Sequence, residues 1–72
     1  DVVVGDYCHI APNVTLCGNV SIGEGAMIGA GSVVLPGRSV GAWCQVGAGA
    51  VITRDLPAGT TAVGVPGRPS SY

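Results

Sequence analysis

Large aliphatic residues recur along the chain with a period of six. Stepping from Val4 reaches Ile10, Leu16, Ile22, Ile28, Val34, Val40, Val46 and Ile52, every one a branched aliphatic. With about half of all positions apolar, such a run arises by chance roughly once in five hundred trials. The position after each aliphatic reads Gly5, Ala11, Cys17, Gly23, Gly29, Leu35, Gly41, Gly47 and Thr53, mostly glycine or another small residue. The fifth position of each hexad reads Cys8, Val14, Val20, Ala26, Ser32, Arg38, Cys44, Ala50 and Leu56, small or apolar in all but one case. Each hexad therefore predicts one large inward side chain, a tight-turn position directly after it, and one smaller inward side chain. Glycine suits the turn because it tolerates positive φ and close backbone approach.

A period of six fits neither the 3.6-residue helix nor a plain two-residue alternation. It fits short strands joined by tight corners and stacked as a parallel β-solenoid, each strand pairing with its equivalents about 4.8 Å above and below. Like aliphatics then stack into one narrow core. Glycine costs roughly 1 kcal/mol at each helical position, which disfavours the rival helical reading of so glycine-rich a chain.

The phase breaks after Ile52. Thr53-Arg54-Asp55-Leu56-Pro57-Ala58-Gly59 reads as a turn-rich exit. Pro66 and Pro69 cannot donate to a ladder, so the segment from Val63 to Pro69 is expected to be extended without forming a central strand. Ser70, Ser71 and Tyr72 are expected to fray. The organisation predicted is one domain, with coils over 1–57 and an extended tail over 58–72. Val2-Val3-Val4 begins inside the pattern with no cap. An uncapped solenoid end exposes strand edges, so the chain reads as part of something longer.

Composition narrows the function. The 72 residues include 13 glycines and only three arginines against four acids, for a net charge of −1. That balance gives no electrostatic footprint for nucleic acid or an anionic membrane. No apolar run approaches the roughly 18 residues of a membrane span. A hydrophobic fraction of 47% argues against disorder. So small a chain supplies a thin core, and the usual remedies include association with partners.

Hexads such as Ile22-Gly23-Glu24-Gly25-Ala26-Met27 and Ile28-Gly29-Ala30-Gly31-Ser32-Val33 resemble those of the hexapeptide-repeat acyltransferases. The closing Thr53-Arg54-Asp55-Leu56-Pro57 and Gly64-Val65-Pro66-Gly67-Arg68-Pro69 also resemble that family's exit. The resemblance implies an all-β, left-handed parallel β-helix with three hexads per coil, placing coils at 4–21, 22–39 and 40–57. The hand is implied by resemblance alone, since parallel crossovers are overwhelmingly right-handed. The stretch from Val4 to Pro12, with Leu16-Cys17-Gly18-Asn19-Val20, is similar to the sialic acid O-acetyltransferase and bacillosamine-pathway sugar N-acetyltransferase group. Serine acetyltransferases share the glycine-rich hexads and the exit, and match less well around His9.

The resemblance implies an acetyl-CoA-dependent acetyltransferase acting on an amino or hydroxyl group of a sugar or nucleotide sugar. It implies acetyl-CoA as cosubstrate and a homotrimer; the single histidine speaks against a metal site, and free thiols point to a cytoplasmic location. In that group the general base is a histidine followed at once by an acidic residue. Asp1 falls on the acidic position, where it would orient a histidine lying one residue earlier. The 72-residue chain without that histidine is expected to be inactive or nearly so. His9 matches a histidine lining the acetyl-CoA site. Gly18 matches a glycine whose amide faces the thioester carbonyl, as in an oxyanion hole. Ala30 and Ala48 match small positions along the pantetheine arm. Two other readings are a non-catalytic trimeric scaffold and a serine acetyltransferase-like enzyme.

The remaining polar residues read more plainly. His9 is the single histidine, which makes a three-histidine zinc set hard to assemble. Cys8 and Cys44 share a column two coils apart, about 9–10 Å, beyond disulfide reach. They read as small buried residues, and free thiols suggest a reducing compartment. Arg38 is expected to leave at the corner beside Pro36-Gly37 or to form an inter-subunit ion pair. Arg68 is a candidate contact for a coenzyme phosphate. Tyr7 and Trp43 face outward by phase and suit interface packing. Asp6 and Glu24 read as solvated corner residues.

Overall fold

The computed structural model describes residues 1–64 and the backbone of 68–69. Nine two-residue strands follow the six-residue period: β1 (Val3–Val4), β2 (His9–Ile10), β3 (Thr15–Leu16), β4 (Ser21–Ile22), β5 (Met27–Ile28), β6 (Val33–Val34), β7 (Ser39–Val40), β8 (Gln45–Val46) and β9 (Val51–Ile52). Two more close the chain, β10 (Thr61–Val63) and β11 (Arg68–Pro69). They stack into three faces. The first holds β1-β4-β7, the second β2-β5-β8-β10-β11, and the third β3-β6-β9. Pairing is parallel at a spacing of eighteen residues, as in Val4↔Ile22 and Ile22↔Val40. Three hexads therefore make one coil, an architecture consistent with a left-handed parallel β-helix.

From β4 to β9 each strand buries its aliphatic second residue and leaves the first more exposed. Met27 and Gln45 are exposed, while Ile28 and Val46 beside them are buried. The core is a column of Ile22, Ile28, Val34, Val40, Val46 and Ile52, interleaved with the fifth-position residues Val20, Ala26, Ser32, Cys44 and Ala50. Polar atoms in the small column are satisfied by the next coil. The Ser32 hydroxyl donates to the Gly47 carbonyl at 2.9 Å, and the Cys8 and Cys44 thiols donate to the carbonyls of Gly23 and Pro57 at 3.1 and 3.0 Å. All three cysteines are free. Cys44 is buried as expected, and Cys8, in the end coil, is half-buried.

The corners correct the expected turn position. Positive φ falls on the fourth residue of the first eight hexads, not the second, at Tyr7, Asn13, Asn19, Gly25, Gly31, Gly37, Trp43 and Gly49. In the second and third coils each of these corners is a four-residue turn closed by the fifth residue's N–H, as in Ser32 to Gly29 O at 3.3 Å. With positive φ only at its third residue, this is the type II pattern, and Pro12 and Pro36 occupy the second residue, where proline is favoured. Glycine in the second position of the hexad has a different cause. A Cβ on Gly23 would stand 2.4 Å from the Ala42 backbone nitrogen, and one on Gly41 2.5 Å from that of Ala58. Coil spacing, not turn geometry, excludes a side chain there.

Leu56 also departs from expectation. It bridges to Val40 at a spacing of sixteen, not eighteen, and is buried. It thus joins the large aliphatic column, not the small one. β10 keeps the shortened spacing, with Ala62 paired to Val46. β11 pairs antiparallel on the outer edge of β10, the position that Pro69 can occupy without a ladder donor. The expected fraying of Ser70, Ser71 and Tyr72 lies outside the described residues.

Candidate functional site

The second face carries a concavity. Its outward ladder runs His9, Met27, Gln45, Thr61, one residue from each coil. Beside it the small second-position residues Ala11, Gly29 and Gly47 form a trough, and at Gly29 a Cβ would stand 2.6 Å from the Ala48 backbone nitrogen. Val63 closes the far end, and a Cβ on Gly47 would come 2.9 Å from its Cγ1. The result is an open, mostly apolar groove of about 220 Å³ with His9 at its first-coil end.

The five sequence-predicted residues fall into two groups. His9 is exposed on β2 and lines the groove. Ala30 and Ala48 are exposed at the corner that follows this face, stacked one above the other with the Gly49 N–H donating to the Ala30 carbonyl at 2.8 Å. Gly18 stands at the next corner, after the third face. It is exposed, its carbonyl accepts the Gly37 N–H at 2.9 Å, and a Cβ there would meet nothing within 4 Å. Among the described residues its own N–H donates to no backbone carbonyl. Asp1 is exposed at the start of the first coil. Continuing the Val3↔Ser21 register two residues back sets it against Asn19, so it shares the corner of Gly18. The five residues therefore lie in two separate places, His9, Ala30 and Ala48 on and beside the second face and Gly18 with Asp1 at the corner after the third.

Sequence reasoning missed Met27, Gln45, Thr61 and Val63 as groove residues. The signal was available: a step of eighteen from His9 reaches Met27 and Gln45, once three hexads per coil is known. The shortened last coil then puts Thr61 above Gln45. Local period alone does not show which outward residues stack.

The other candidates are placed as follows. Arg38 is half-buried, with its Nε donating to the Pro36 carbonyl at 3.5 Å, so it leaves at the corner. The Arg68 side chain lies outside the described residues. Among the described residues no trio of His, Cys, Asp or Glu is grouped to hold a metal ion, and no helix is long and apolar enough to cross a membrane. Tyr7 and Trp43 are 81% and 62% exposed on one corner, both at positive φ. Such a conformation is uncommon for bulky residues. The Trp43 ring lies over Gly25, where a Cβ would meet it at 2.3 Å.

Comparison with known proteins agrees with this geometry. PerB from Caulobacter crescentus, solved in complex with CoA and GDP-perosamine, is 45% identical and superposes with a TM-score of 0.97 over 99% of this chain and 34% of its own. The acetyltransferase domain of PglB from Neisseria gonorrhoeae is 40% identical, with a TM-score of 0.96 over 97% of this chain and 34% of its own. A serine acetyltransferase from Synechococcus elongatus is 39% identical over 74 residues, 92% of this chain and 30% of that protein. The chain thus spans about a third of the length of these relatives. The profile of the bacterial transferase hexapeptide (six repeats) family matches residues 19–54, half of the chain. With its eighteen-residue coils and glycine-lined corners, the chain belongs to the bacterial transferase hexapeptide family.

Proposed function

We propose that the chain is the coenzyme-binding solenoid of an acetyl-CoA-dependent acetyltransferase acting on an amino or hydroxyl group of a sugar or nucleotide sugar. The observation that carries this reading is the match to PerB, whose solved complex holds CoA and GDP-perosamine, at 45% identity over 99% of this chain. In the reaction the acceptor nitrogen or oxygen attacks the thioester carbonyl, the C–S bond breaks, and CoA leaves as its thiol. The outward Gly18 N–H is free to stabilise the oxyanion that forms. His9 and the apolar groove bind the coenzyme arm, and Ala30 and Ala48 keep the adjoining corner low. Asp1 orients a base histidine in the preceding position.

The division of these residues between two edges supports a homotrimer, in which the Gly18 corner of one copy lies along the groove of the next. The 72 residues hold one histidine, and His9 lines the groove beside Met27. His9 and its groove therefore serve coenzyme binding, and the protein works in the cytoplasm, where acetyl-CoA and free thiols coexist. Calorimetric titration with acetyl-CoA tests the reading. Micromolar binding supports it, and no binding points to a scaffold. An acceptor screen with the full-length protein separates amino sugars from serine, the acceptor that the Synechococcus relative would suggest.

A further inference from the structure

We propose that the Gln45 carboxamide is the polar anchor for the second amide of the coenzyme's pantetheine arm. The inference rests on the acetyltransferase reading and names a positioning residue within it. Gln45 sits midway along the groove, between Met27 and Thr61 on the outward ladder. It is exposed, and among the described residues its carboxamide makes no hydrogen bond. Met27, Val46, Gly47 and Val63 make most of the lining around it apolar, and the Thr61 hydroxyl on the next rung is the other polar group there. An exposed carboxamide on the wall of a mostly apolar groove is placed to meet a polar group of a ligand lying in it.

Spacing selects the group. Ladder rungs repeat about every 4.8 Å, so Gln45 stands about 10 Å beyond His9. With the thioester at the His9 end, two methylenes lead to the first amide of the arm. Two more lead from its carbonyl to the second. Standard bond lengths put the second amide nitrogen about 9 Å from the sulfur. The first amide then lies at the level of Met27, which offers no hydrogen bond of comparable strength, and the second at the level of Gln45. A carboxamide can donate to the amide carbonyl and accept from its N–H, which a thioether cannot do. The branched end of the arm falls against Thr61 and Val63.

The test uses Gln45→Met, a substitution the ladder already accommodates at Met27. Met27 is the single methionine of the natural chain, so a methyl-labelled sample of the wild type gives one groove signal. The ligands are CoA and N-acetylcysteamine, which keeps the first amide and lacks the second. Expected is a loss of about tenfold in CoA affinity by calorimetry, the value of one hydrogen bond. The melting temperature and the N-acetylcysteamine titration should not change. CoA affinity within twofold of wild type overturns the proposal, as does an equal loss for both ligands, which would mean a distorted groove. If wild type neither binds CoA nor shifts the Met27 methyl, the acetyltransferase reading itself has failed.

Discussion

The carboxylate of Asp55 stands in for a backbone carbonyl, its Oδ1 accepting the Ser39 N–H at 2.9 Å. One coil below, Ser21 donates instead to the main-chain carbonyl of Arg38 at 3.2 Å. The difference arises because the last coil is two residues short. Leu56 still reaches Val40, with its N–H on the Ser39 carbonyl at 2.8 Å and its own carbonyl taking the Gly41 N–H at 2.8 Å. The shortened turn leaves Ser39 without a main-chain acceptor, and Asp55 supplies one.

Removing that acceptor should be felt. Asp55→Ala is expected to lower stability by about 1 kcal/mol, the usual net value of a hydrogen bond. Asp55→Asn, which keeps a carbonyl oxygen, should recover most of it. Thermal melts of the two variants, compared with wild type, check the order.

The two glycine positions should respond differently to alanine. At Gly23 the new Cβ meets Ala42 backbone at 2.4 Å, which a flexible side chain cannot relieve. At Gly31 it meets nothing within 4 Å, and only the φ of +73° is strained. Gly31→Ala should cost about 1 kcal/mol. Gly23→Ala should cost several times more, because stacked coils must separate or tilt. Urea unfolding followed by Trp43 fluorescence measures both; equal losses would contradict the two separate causes.

Trp43 and Gly25 should show coupling in a double-mutant cycle. Gly25→Ala displaces the indole and strains a φ of +70°, for a loss of about 2 kcal/mol. Trp43→Gly alone removes the ring's packing but relieves its own positive φ. With both changes the loss at residue 25 should fall by roughly half, since the clash disappears and only the backbone strain stays. Circular-dichroism melts of the four proteins give the coupling.

Gly18→Pro separates fold from chemistry. Gly18 occupies the turn position that Pro12 and Pro36 fill at other corners, so the backbone accepts proline there. The substitution deletes the N–H assigned to the oxyanion. In the protein with its base histidine, turnover should fall by about 10²–10³-fold, the usual cost of one oxyanion donor. The melting temperature should hold. A matching drop in stability would assign Gly18 a structural role instead.

The sequence by itself determined the strands, their inward aliphatics and the end of the repeat, because each rests on the identity of residues six apart. The Val4-to-Ile52 column needs no tertiary contact to be seen. Its outward neighbours, His9 and Trp43 among them, follow from the same phase. What glycine does at each position was not legible, since Gly23 and Gly25 read alike. Only the distance between coils distinguishes a Cβ blocked by Ala42 from one strained by φ. Leu56 was misplaced for a related reason: its column depends on which carbonyls remain to be satisfied when a coil loses two residues. Likewise Met27, Gln45 and Thr61 became one groove wall only when three hexads closed a coil and stacked them. Period is a property of the chain, whereas stacking register and the rise between coils belong to the folded solenoid, and these decided where the groove lies.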